Sequence, residues 1–272
     1  MTPTVAGNIH GMGITAPIVV VTDLDGTLLD HNTYEAGPAA AALQTLQDAG
    51  VTIVCCSAKT RAEQQVHRRD LAIAGPFVVE NGAAVHADHG PVRVLGLDYG
   101  EVRDRLAGVA ASLDVSLRGF GDMEIVEVVE RTGLSAGAAA RAQERDHTEP
   151  FVVDGDGVNE PTLRGALHDR GLGLQRGARF WTAGGFHDKG DAVAVLRELY
   201  TVERGERPLM YGLGDTYNDA AMLAAVDVPM LVQRPDGGWA DLAVDNLTRL
   251  DGIGPVGWCL GAEAILATAS TA

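Results

Sequence analysis

Ile18-Val19-Val20-Val21-Thr22-Asp23-Leu24-Asp25-Gly26-Thr27-Leu28 decides the fold. An unbroken β-branched apolar run, with no polar alternation, reads as a strand buried on both faces, as in a parallel sheet. It stops at two carboxylates that flank one leucine, and Gly26 then lets the chain turn without a Cβ clash. Working outward, Pro38 opens a helix with Leu43 and Leu46 on one face, and Gly50 closes it. Val51 to Cys56 is a second buried strand ending at Ser57. A helix from about Thr60, a strand Phe77-Val78-Val79 and a turn at Asn81-Gly82 follow. The pattern returns late in the chain: helix Lys189 to Tyr200, strand Leu209 to Leu213, Gly214-Asp215, a helix through Met222-Leu223, and strand Val228 to Val232. This alternation predicts an α/β fold, a doubly wound (Rossmann-like), mainly parallel sheet.

Between the two halves the texture changes. Val115 to Phe120, Pro150 to Val153 and Arg179 to Thr182 read as antiparallel strands mixed with amphipathic helices. The expected organisation is a flexible leader at 1–16, a core domain from 17–83 and 187–272, and an inserted α+β cap domain at 84–186.

Composition narrows the function. Among 272 residues, 37 acidic groups against 21 basic ones give a net charge of −16, which argues against nucleic acid or an anionic membrane as a partner. No apolar run approaches the roughly 18 residues of a membrane span, and no basic-then-apolar start marks export, so the expected location is the cytoplasm. Three cysteines make neither a disulfide framework nor a zinc site, and adjacent Cys55 and Cys56 read as strand core. Only two of the 21 basic residues are lysines, Lys59 and Lys189. Oligomeric state is left open.

In parallel α/β sheets, ligands bind beyond the carboxyl ends of the strands. Asp23, Asp25, Ser57, Asp215 and Asp219 stand at strand ends, and Lys189 stands at a helix start. Converging carboxylates repel unless a cation joins them. An all-oxygen set without His or Cys suits Mg²⁺ rather than zinc. His86 and His89 lie outside this group and are expected to have no metal role. A carboxylate such as Asp23 can attack phosphorus and form an acyl phosphate. Lys189 can neutralise charge, Ser57 can donate to a phosphoryl oxygen, and Asp25 can act as acid and then base.

Asp23-Leu24-Asp25-Gly26-Thr27-Leu28, Ser57, Lys189 and Gly214-Asp215-x-x-Asn218-Asp219 resemble, in order and spacing, the four motifs of haloacid dehalogenase-type phosphatases. The insert resembles their type II cap. Cys56-Ser57-Ala58-Lys59-Thr60-Arg61-Ala62-Glu63-Gln64, Pro76-Phe77-Val78-Val79-Glu80-Asn81-Gly82, Gln143 to Phe151, Asp188-Lys189-Gly190 and Val226-Asp227 are similar to mannosyl-3-phosphoglycerate phosphatases, over about residues 17 to 268. His147 stands where that family usually has a tyrosine. The resemblance implies a Mg²⁺-dependent phosphatase with catalytic Asp23, Asp25, Ser57 and Lys189. It implies metal ligands Asp23, Asp25 (through its backbone carbonyl), Asp215 and Asp219. Substrate contacts are implied at Ser57, Ala58, Lys59, Asn81, Arg145, Glu149, Lys189 and Asn218. The implied substrate is mannosyl- or glucosyl-3-phosphoglycerate, whose product is a compatible solute. A broader sugar-phosphate phosphatase, a trehalose- or sucrose-phosphate phosphatase, and a phosphomannomutase-like phosphotransferase remain alternatives. Arg145 and Glu149 also fit an i,i+4 pair on the insert surface.

Two motifs read as decoys. Gly252-Ile253-Gly254-Pro255-Val256-Gly257 matches a dinucleotide fingerprint, but no apolar strand leads into it and only 15 residues follow Gly257. Asp154-Gly155-Asp156-Gly157 reads as a hairpin turn rather than a calcium loop.

Overall fold

The structure is a computed structural model that describes residues 17–87, 90–154, 158–177 and 179–271. The leader at 1–16, His89 and most of the 154–157 turn lie outside the described residues. β1 (Ile18–Thr22) is followed by α1 (Ala39–Asp48), β2 (Thr52–Cys55), α2 (Arg61–Asp70) and β3 (Phe77–Val79). Then come β4 (Ala84–His86), β5 (Arg93–Val94), α3 (Tyr99–Leu113), β6 (Ser116–Gly119), α4 (Ile125–Thr132) and α5 (Ala136–Gln143). The chain continues through β7 (Glu149–Asp154), α6 (Glu160–His168), β8 (Gly173–Arg176), β9 (Trp181–Gly184) and α7 (Lys189–Arg204). It ends with β10 (Leu209–Gly214), α8 (Ala220–Ala225), β11 (Val228–Gln233), β12 (Thr248–Ile253) and α9 (Pro255–Thr271).

The fold is α/β, and its central sheet is parallel, in the order β12-β11-β10-β1-β2. β1 is central, and its run is apolar because both faces are covered: Val20 faces one core cluster, while Val19 and Val21 face the other. Burying such side chains contributes about 1.5–3 kcal/mol each. A lone parallel bridge from Cys56 to Val78 continues the sheet towards β3, which pairs antiparallel with β4 and then β5. Residues 84–94 therefore extend the edge of the central sheet.

A separate antiparallel sheet, β6-β7-β9-β8, belongs to the middle of the chain. α3 and α6 cover one face through Val102, Leu106, Phe151, Leu163 and Leu167. The α4–α5 hairpin covers part of the other, where Phe120 and Phe180 meet edge to face at 4.9 Å. Several hydrogen bonds join this unit to the first. Thr60 Oγ1 donates to the Arg141 carbonyl (2.8 Å), Asn81 Nδ2 donates to Gln175 Oε1 (2.6 Å), and the 146–148 backbone donates to Glu80.

A strand, β12, runs directly into Gly254, with α9 beyond it, but it is not an apolar strand. It is an edge strand in which only Leu250 and Gly252 are buried, so it alternates instead of forming an apolar run. Among the described residues no helix is long and apolar enough to cross a membrane.

Candidate active site

The strand order assembles the site. β10, β1 and β2 are neighbours, so the first residues beyond them lie side by side at the carboxyl edge, about one strand spacing apart. Asp23 N–H donates to the Leu213 carbonyl at 2.9 Å, and Cys56 N–H donates to the Thr22 carbonyl at 2.8 Å. This sets Asp215, Asp23 and Ser57 in a row. Lys189 enters from the start of α7, held by an Asp188–Asp191 capping box. Its Nζ reaches Asp23 Oδ1 at 2.6 Å and Asp219 Oδ1 at 2.7 Å, with its side chain fully buried. Ligand oxygens of Asp23, Asp215 and Asp219 all lie within 4.8 Å of one another.

Gly26 is required by this packing. It adopts φ +82°, and a Cβ there would sit 2.6 Å from Asp215 Oδ2. Thr27, which was not singled out from the sequence, donates to Asp215 Oδ1 at 3.2 Å. Asp219 is saturated by internal donors: one oxygen takes Lys189, and the other takes the N–H groups of Asp215 (3.0 Å) and Thr216 (3.1 Å). Lone pairs on Asp23 and Asp215 are less fully used.

Three buried carboxylates against one ammonium leave negative charge uncompensated. Burial, opposed by Lys189 and reinforced by Asp219, pushes Asp23 up to about 7. Burial and the repulsion of Asp219 and Asp23 push Asp215 up to about 8. Burial alone would lower Lys189, but Asp219 and Asp23 outweigh it and hold the ammonium charged. Such a set fits a hard cation, which would restore both carboxylates to their ionised form.

Asp25 stands apart from the cluster. Its side chain is turned to Lys59, with Oδ2 at 2.8 Å from Nζ, while Oδ1 has no hydrogen-bond partner among the described residues. Lys59 was expected at the substrate. It is instead buried beside Asp25 and Glu63 and under the Tyr34 ring, 4.9 Å from the centroid. Ser57 is buried, its Oγ accepting a long 3.4 Å bond from Lys59 N–H, and Ala58 is exposed beside it. Asn81 adopts φ +58° and donates its N–H to the Ser57 carbonyl at 2.9 Å, while its Oδ1 has no partner among the described residues. Asn218 is half-buried and accepts from the Thr216 hydroxyl.

Arg145 and Glu149 do not form the expected i,i+4 pair on the insert surface. α5 ends at Gln143 and β7 begins at Glu149, so no helix pairs them. The buried Arg145 meets the fully buried Glu80 (Nε to Oε2, 3.3 Å) and donates to the Ala58 carbonyl (3.2 Å) and Thr148 Oγ1 (2.5 Å). Glu149 is buried too, accepting from Tyr99 (2.5 Å), Arg103 (3.3 Å) and Gly121 N–H (3.1 Å). His147 accepts no special role either: its Nδ1 lies 2.8 Å from the Leu97 carbonyl. Glu80 was quoted only as part of a motif, because a carboxylate after a strand carries no sequence mark of burial.

Residues 20–109 match the haloacid dehalogenase-like hydrolase family. A glucosyl-3-phosphoglycerate/mannosyl-3-phosphoglycerate phosphatase of Methanococcoides burtonii is 36% identical over 256 residues, covering 88% of this chain and 94% of the relative. The chain belongs to the haloacid dehalogenase-like hydrolases. A phosphatase of the same name from Persephonella marina is 34% identical, covering 89% of this chain and 94% of its own. A haloacid dehalogenase-superfamily phosphatase from Bacteroides thetaiotaomicron shares the fold, with TM-score 0.68 at 16% identity, over 98% of this chain and all of its own. In this haloacid dehalogenase-like hydrolase the carboxylate cluster lies where the four sequence motifs converge.

Proposed function

We propose that the protein is a Mg²⁺-dependent phosphatase acting through an aspartyl-phosphate on Asp23, with glucosyl- or mannosyl-3-phosphoglycerate as substrate. The observation that carries the reading is the buried Asp23–Asp215–Asp219 cluster facing one ammonium, with Asp25's unpartnered oxygen beside it. The substrate assignment rests on the two relatives, which are named for this activity and which the chain matches over nearly their whole length.

Asp23 and Asp215 would hold Mg²⁺, with the Asp25 carbonyl as a further ligand and Asp219 orienting the set. The cation supplies charge neutralisation that lets two anions meet. Asp23 attacks phosphorus, the bond from phosphorus to the sugar-acid oxygen breaks, and that oxygen takes the proton carried by Asp25. Asp25 then removes a proton from water, which attacks phosphorus and frees the Asp23 carboxylate. Ser57 and Lys189 donate to the phosphoryl oxygens throughout. The unit formed by the β6–β9 sheet and its helices serves as a cap that keeps bulk water out.

A phosphate-release screen with Mg²⁺ over glucosyl-3-phosphoglycerate, mannosyl-3-phosphoglycerate, trehalose 6-phosphate, sucrose 6-phosphate and mannose 6-phosphate tests this. Release from the two phosphoglycerates well above the others is expected. Equal or better release from the others would retire the substrate.

A further inference from the structure

A cavity with no role in the chemistry above lies behind Lys59, the partner of Asp25. It measures about 320 Å³ and is lined by Tyr34, Lys59, Glu63, His67, Leu134 and Arg141. That volume is within the usual range for small-molecule sites. Its floor belongs to α2 and the loop after β1, and its roof to the α4–α5 hairpin. The Thr60–Arg141 bond holds the two together at its side. The cavity has an aromatic wall at Tyr34, an apolar one at Leu134, and cations at Lys59 and Arg141.

The two cations differ in what they have left to offer. Lys59 is spent on Asp25 and Glu63. Arg141 is half-buried, and among the described residues its guanidinium makes no ion pair and no hydrogen bond. In a chain of net charge −16, where most arginines near acids are paired, a free guanidinium in a cavity is an anion receptor in search of its anion. The position fits the substrate as well. The ester oxygen must reach Asp25 Oδ1, and Asp25 Oδ2 is already bonded to Lys59 at 2.8 Å. Lys59 also lines the cavity, so the cavity begins one side chain away from the acid/base.

We infer that the cavity receives the sugar-acid leaving group and that Arg141 binds its carboxylate, which makes Arg141 the residue that selects carboxylate-bearing phosphate esters. This rests on the phosphoglycerate reading for the identity of the leaving group. Arg145, four residues downstream and expected among the substrate contacts, is committed to Glu80.

The test is a ratio. 3-Phosphoglycerate and glycerol 3-phosphate differ only in a carboxylate against a hydroxymethyl group. Each is measured as an inhibitor of p-nitrophenyl phosphate hydrolysis. The wild-type protein should bind the carboxylate roughly tenfold or more tightly, the effect of one charge-assisted bond. Arg141→Gln should bring the ratio close to one, Arg141→Lys should keep part of it, and Arg131→Gln, a charge removed from the cap outside the cavity, should leave it as in wild type. A wild type without preference overturns the inference, as does a preference that survives Arg141→Gln or falls equally in Arg131→Gln. Phosphate release from glucosyl- and mannosyl-3-phosphoglycerate is scored separately. Failure there with the inhibitor ratio intact retires the substrate and keeps the Arg141 site. Turnover there with no ratio retires Arg141 alone.

Discussion

Replacing Arg145 with alanine separates a structural cation from a substrate ligand. Glu80 is fully buried, and Arg145 covers it at 3.3 Å with a side chain only 6% exposed. Breaking a buried pair by removing one partner typically costs 3–5 kcal/mol, since the other charge is left without compensation. Glu80 would keep the N–H groups of Asp146, His147 and Thr148 and the Thr148 hydroxyl. That places Arg145→Ala at the low end, about 3 kcal/mol, or a Tm lower by roughly 6–12 °C for a chain of this size. Adding Glu80→Gln should recover part of the loss, because a neutral amide needs no counter-charge. Circular dichroism melts measure both. In kinetics, Arg145→Ala should slow p-nitrophenyl phosphate and glucosyl-3-phosphoglycerate by a similar factor. A normal Tm with loss confined to the carboxylate-bearing substrate would refute the reasoning and return Arg145 to the substrate. Acid gives an independent reading. Burial alone would raise Glu80, but Arg145 and the backbone donors outweigh it and hold the carboxyl below its ordinary 4.5. A depressed carboxylate stabilises fully above its unfolded value and loses that contribution as pH falls below it. The Tm gap between wild type and Glu80→Gln should therefore be constant near neutrality and close below about pH 4.5.

Asp23→Asn should lower phosphate release by on the order of a thousandfold or more, and a quenched wild-type reaction should carry phosphate on the Asp23 peptide by mass spectrometry; near-normal turnover of the variant contradicts the nucleophile. Because Asp23 and Asp215 sit at about 7 and about 8 without a cation, Mg²⁺ must displace protons to bind. Its affinity by calorimetry should tighten as pH rises from about 6 to 8, with proton release, and an affinity flat across that range would refute it. Gly26→Ala places a Cβ 2.6 Å from Asp215 Oδ2 at φ +82°, so it should strain the turn by about 1–2 kcal/mol and weaken Mg²⁺ binding more than it lowers Tm; unchanged binding counts against the close packing.

The parallel core was legible because a strand buried on both faces has no alternation to obscure it. Val19, Val20 and Val21 are all fully buried, and the run can be read without knowing its neighbours. β12 was not legible, since an edge strand with two buried positions looks like loop. The carboxylates of the site were legible by type and place, because a parallel sheet brings strand ends together whatever lies between them in sequence. Their partners were not. Nothing local tells that Lys59 turns to Asp25 and Lys189 to Asp23, since which ammonium reaches which carboxylate depends on the strand order. Arg145 and Arg141 lie four residues apart in sequence, and only the burial of Glu80 on a different element decides which of them is free.

Charge accounts for why this site can take an anion at all. The chain carries −16, and the four carboxylates at the sheet edge face only two ammonium groups. Without a cation the pocket repels phosphate and holds protons instead, which is why Asp23 is pushed up towards neutrality. A divalent ion brings the balance of these six groups to zero, and a phosphate ester then meets Lys189 rather than net negative charge. That leaves nothing at the centre to favour one anionic substrate over another, because Lys189 and the cation respond to any phosphate. Selection has to come from a cation outside this balance that only part of the substrate can reach. Arg141 is outside it, makes no ion pair among the described residues, and shares a cavity wall with the Lys59 that is bonded to Asp25, so on the proposed reading recognition and reaction are served by separate charges.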